Sequence, residues 1–102
     1  MDQVKVTPEA LEGFAAANAA VATAIGTAGS IDAAANTAAM VPVFGLIGQE
    51  FLATFIVAQA NHLMSVGQLA AVHAATAATT SQSLVAYEDA DATGAAGVRS
   101  AL

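Results

Sequence analysis

The sequence predicts an all-α protein, an antiparallel helical hairpin of two long helices, and three observations carry that prediction. Much of the hydrophobic share, 57% of the 102 residues, is alanine, the strongest helix former. Apolar residues recur at alternating steps of three and four through two long stretches, the spacing of a helix packed along another. Between these stretches Val41-Pro42-Val43 with Gly45 and Gly48 breaks the pattern, because proline lacks a backbone donor and biases the residue before it away from helical dihedrals.

The first helix is expected over about residues 8–37. Thr7 is placed to cap it, Pro8 falls at the first helical position where its missing N–H costs nothing, and Glu9 faces the positive end of the dipole. Leu11, Phe14, Asn18, Val21, Ile25 and Ala28 then form its seam, with Asn18 the one strongly polar member. Gly26 and Gly29 are expected to fray or bend the helix, or to let it approach its neighbour closely.

An apolar turn is expected over about residues 38–46, packing its own side chains over the hairpin end. The second helix should run over about residues 47–91. One stripe of it carries Phe51, Phe55, Ala58, His62, Leu69 and Val72, and a second, rotated stripe carries Leu52, Ile56, Leu63, Val66 and Ala70. The first helix can cover only one of these, so a partner interface is expected among Phe51, Leu52, Phe55, Ile56, Leu63, Val66 and Leu69. Four Phe, mostly between residues 44 and 55, mark that region as the densest part of any core. Packing is expected to weaken beyond Ala74, where Thr and Ser accumulate, and residues 93–102, with Gly94 and Gly97, read as a loose tail.

The whole chain, residues 1–102, is read as one domain, since a core normally takes about 100–150 residues. A hairpin of this size buries little surface, so the monomer should be marginally stable, and docking on a helical partner, or on a second copy, would complete a four-helix bundle. Two Lys+Arg against eight Asp+Glu give a net charge of −6, which argues against nucleic acid and anionic lipid. With no Cys, neither a disulfide nor a thiolate nucleophile is available. The acidic start, Met1-Asp2-Gln3-Val4-Lys5 followed by Glu9 and Glu12, does not follow the order of a signal peptide. The bulky apolar runs at 38–48 and 51–58 fall short of the roughly 20 residues that span a bilayer, so no transmembrane segment is expected.

Catalytic and metal chemistry find little support. His62 and His73 are eleven residues apart, about 16 Å along a helix, too far to share a metal. They read as ordinary interface or surface histidines. Glu88, Asp89 and Asp91 lack the turned, glycine-containing backbone of a calcium loop and read as a solvated face. No nucleophile pairs with a base and no phosphate loop is present, so no enzyme activity, cofactor or metal is expected.

Tyr87 and Asp91 are different in kind: four residues apart, they present an aromatic ring and an anion side by side on one helix face. Together with Val6-Thr7-Pro8-Glu9-Ala10-Leu11, and with Val43-Phe44-Gly45-Leu46-Ile47-Gly48-Gln49-Glu50-Phe51-Leu52 at the head of the second helix, they make up an ordered set. That set resembles the EspC-like family of ESX (type VII) secretion substrates of mycobacteria and, more distantly, the PE family. There is no Trp-x-Gly at the turn, so the WXG families are not matched.

The resemblance implies a virulence-associated protein that folds in the cytoplasm, pairs with a helical partner or itself, and is exported by the type VII machinery to the outside or the cell surface. It assigns Tyr87 and Asp91 as the C-terminal export signal. The alternative is a cytoplasmic helical adaptor or small subunit of a larger complex, which would show the same apolar excess without needing the Tyr87 and Asp91 pair. A helix lying on a lipid surface is disfavoured by the acidic charge.

Overall fold

The computed structural model describes residues 5–102; residues 1–4, on which the signal-peptide expectation partly rests, lie outside them. It is a helical hairpin, with no strand among the described residues: α1 (Pro8–Ala28), α2 (Ala33–Phe44) and α3 (Gln49–Ala101). At 1.5 Å per residue the 53 residues of α3 span about 80 Å, nearly the full 85 Å length of the molecule. α1 and α2 lie along α3 in turn. The Cα radius of gyration is 23.9 Å, against about 13 Å for a compact chain of this size.

The first arm is two helices where one was expected. Gly29 ends α1, its N–H donating to the Ile25 carbonyl at 2.8 Å, and after Ser30-Ile31 the carboxylate of Asp32 accepts from the Ala35 N–H at 2.9 Å. That cap restarts the chain as α2. The combination of Gly-Ser with a capping Asp three residues on was the overlooked signal. At the other end of α1, Thr7 occupies the capping position with extended backbone, but its hydroxyl makes no capping bond. Its carbonyl instead accepts from Ala10 and Leu11.

The turn is also shorter than expected. Residues 38–44 are helical, with Pro42 inside α2, and only residues 45–48 connect the arms. The expected self-packed turn does not form: Leu46 and Ile47 are 96% and 100% exposed. Phe44 closes the end instead, its ring 5.0 Å from that of Phe51, which in turn lies 6.3 Å from Phe55. These aromatics are half-buried to exposed, so the region is an aromatic cluster at the surface and not the densest core.

The expected loose tail is helix through Ala101, consistent with its alanines outweighing Gly94 and Gly97. Packing also persists past Ala74. Thr76 and Thr80 donate their hydroxyls to the carbonyls of Val72 and Thr76 one turn back, at 2.8 and 2.7 Å, so these polar groups are satisfied within the helix, and Leu84 is buried.

The seam of α1 is Leu11, Ala15, Asn18, Ala22, Ile25 and Gly29. Leu11, Asn18 and Ile25 stand where expected, whereas Phe14 and Val21 are exposed and the small residues next to them face inward. Ala15, at 8% exposure, is one of the few buried residues. Alanine and glycine let two helices approach closely, and at Gly29 an added Cβ would collide with the side chain of Val66.

Candidate functional site: an exposed overhang and an apolar flank

Contacts across the arms set the register. Asn18 meets His73 at 3.1 Å, Gly29 abuts Val66, and Asn36 donates to Gln59 at 3.1 Å. Continuing this antiparallel register brings Pro8 opposite the neighbourhood of Leu84. Beyond Leu84 every residue from 85 to 102 is exposed, and the helical part of this stretch is an overhang of about 25 Å at 1.5 Å per residue. Tyr87, 49% exposed, and Asp91 stand on this overhang, one turn apart and free of the other helices. Ser83, Ala86 and Ala90 line a shallow hollow beside the Tyr87 ring.

The seven residues expected at a partner interface do not share one surface. Leu52, Phe55, Leu63 and Val66 are half-buried on the intramolecular seam, in line with Gln59, Ala70 and His73. Phe51, Ile56 and Leu69 are 53%, 42% and 51% exposed. The side of the seam that carries Phe51 and Leu69 also carries Val72, 60% exposed, and on α1 Phe14 and Val21, 53% and 41% exposed. Helical stepping gathers these five side chains on one flank of the hairpin. The opposite flank holds an open groove lined by small residues and one glutamate: Glu12, Ala15, Ala16 and Ala19 face Ala77, Ala78 and Ser81.

The sequence reading took Phe14 and Val21 for seam residues and so missed this flank. The signal was bulk: in a seam that closes on alanine and glycine, the larger neighbours have to stand outside. The back of α3 is polar at seven-residue spacing, with Thr54, Asn61 and Gln68, then, past Ala75, Gln82 and Asp89. That row marks the face left to water.

His62 is exposed, and His73 is half-buried against Asn18. Among the described residues no group of three or more His, Asp or Glu is placed to hold a metal. By length and composition alone, the stretches Pro8–Phe44 and Gln49–Ala101 are long and apolar enough to cross a membrane. They pass because alanine extends the apolar length beyond the bulky runs considered in the sequence, and alanine lacks the bulk of the Leu, Ile, Phe and Val that favour insertion most.

A family model described as excreted virulence factor EspC, type VII ESX diderm, matches residues 1–100. No curated protein matches, and no solved structure matches.

Proposed function

The chain belongs to the family of the excreted virulence factor EspC of type VII (ESX) secretion, and from that premise we propose that it is exported through an accessible signal formed by Tyr87 and Asp91 while its apolar flank is held by a helical partner. The family is one of secreted type VII substrates, which agrees with the resemblance read from the sequence. The observation that carries the proposal is the overhang. An export signal has to be reached by the machinery after the chain has folded, and Tyr87 and Asp91 lie beyond the Pro8 end of α1 in a stretch whose residues, 85–102, are all exposed.

Pairing is supported by surface area. The chain exposes 7474 Å², whereas a compact monomer of 10.0 kDa would expose about 5,200 Å². The surplus of roughly 2,200 Å² on one chain exceeds the roughly 800 Å² per partner of a standard interface and is of the size of one side of a large obligate one. Phe51, Leu69 and Val72 with Phe14 and Val21 are the side chains such an interface would use. Between Glu50 and Glu88, α3 has no Asp, Glu, Lys or Arg, so a partner helix laid along it meets no charge that must be desolvated. In this reading the hairpin folds and pairs in the cytoplasm, and acts outside by protein contact.

Export of tagged protein from a mycobacterial host, comparing culture filtrate with lysate, tests this directly. Wild type is expected in the filtrate, and the Tyr87→Ala, Asp91→Ala double variant in the lysate with helicity unchanged. Wild type retained inside would favour the cytoplasmic adaptor.

A further inference from the structure

The row of α3 that packs against α1 does not stop where α1 stops. Ala70, His73, Ala77, Thr80 and Leu84 follow one another at steps of three and four, all half-buried or buried. The same stepping continues to Tyr87, Asp91, Gly94 and Val98, and there the row is exposed. The residues read as the export signal therefore stand on the continuation of an interface already built, at the point where its covering helix begins with Pro8.

We propose that this bare length of seam is covered by a basic helix of a second, different protein, packed end to end with α1 and setting a lysine or arginine against Asp91. The proposal rests on the reading of Tyr87 and Asp91 as the export signal and names the chemistry that reads it. Continuity supplies the first argument, since a helix continuing the line of α1 would meet α3 in the geometry the hairpin already uses. Charge supplies the second: the overhang carries Glu88, Asp89 and Asp91 against one base, Arg99, with Asp91 on the seam row itself, and with a net charge of −6 a second copy of the chain would bring more acid than base. The third is shape. Gly94 lies on the seam row with nothing within 4 Å of where a Cβ would stand. Glycine weakens an exposed helix relative to alanine, and at a seam position it admits a closely approaching backbone.

The test uses the full chain in the same export assay. Val98→Glu and Ala96→Glu each add one negative charge to the overhang, the first on the seam row and the second on the back. Val98→Glu is expected to lower the filtrate signal at least tenfold and Ala96→Glu by less than twofold, with both purified variants as helical as wild type. Equal losses, or normal export of Val98→Glu, overturn the seam assignment. Asp91→Lys is expected to be exported less than Asp91→Asn, because repulsion adds to the lost attraction; equal export overturns the basic partner. The chain has no cysteine, so a disulfide-linked homodimer of Val98→Cys recovered from exporting cells would show a second copy on this face and overturn the second protein. Tyr87→Ala separates the two levels. If it is exported normally, the export reading itself fails; if it is retained while Val98→Glu is exported, only the docking helix fails.

Discussion

Gln59 is 6% exposed in a seam made mostly of aliphatic and small residues, and both polar atoms of its amide are paired: it accepts from Asn36 at 3.1 Å and donates to the Thr37 hydroxyl at 3.4 Å. A second polar layer, Asn18 with His73, lies fourteen residues further along α3. Such polar pairs add little net stability, but a slipped register would leave the buried Gln59 amide unpaired at about 1–3 kcal/mol, and the half-buried Asn18 and His73 unpaired at a smaller cost. They therefore select one alignment of two alanine-rich helices that could otherwise slide. Gln59→Ala is expected to lower the unfolding free energy by about 1–2 kcal/mol, read by urea titration with circular dichroism. Asn18→Leu alone should destabilise by about 1 kcal/mol, while Asn18→Leu with His73→Leu should recover that loss or exceed it, because replacing both partners leaves no polar group unpaired. Additive losses in that cycle would mean that the two side chains are not coupled.

At the scale of the helices, the choice between close approach and bulk explains both the packing and the errors of reading. Starting from Leu11, alternating steps of three and four admit two rows, one through Phe14, Val21 and Ala28 and one through Ala15, Ala22 and Gly29. Hydrophobicity favours the first, yet the structure uses the second because a tight seam has no room for a phenylalanine ring. The helical class and the hairpin were thus legible from composition and periodicity, while the exposure of Tyr87 and Asp91 was not, since it depends on where α1 begins against α3, and neither was the phase of the α1 seam, which depends on the distance between helices. Pro42 misled in the other direction: it is exposed near the end of α2, where few backbone bonds are lost. Two glycines, Gly26 inside α1 and Gly29 at its C-terminal cap, separate these effects. Gly29→Ala is expected to destabilise by about 1–3 kcal/mol, because its methyl group would press on the branched Val66 side chain. Gly26→Ala, with nothing within 4 Å of its Cβ position, should stabilise by about 0.5–1 kcal/mol through helix propensity. Thermal melts of the two variants should move in opposite directions.

For the whole molecule the governing quantity is surface. An unfolded chain of 10.0 kDa exposes about 14,500 Å², so folding into a rod that still exposes 7474 Å² removes roughly 7,000 Å², where a compact fold of the same mass would remove about 9,300 Å². The denaturant slope follows the area exposed on unfolding. The isolated chain should therefore unfold in urea with a slope about three-quarters of that typical for its mass, at a midpoint independent of protein concentration. A helical partner that covers Phe14, Phe51 and Leu69 restores the missing burial, and by mass action it should raise both the slope and the midpoint. A full-size slope for the chain alone, with a midpoint that rises with protein concentration, would show instead that a second copy already covers the flank. The pairing proposed here would then be self-pairing along the uncharged stretch between Glu50 and Glu88, with the acidic overhangs left outside the joint.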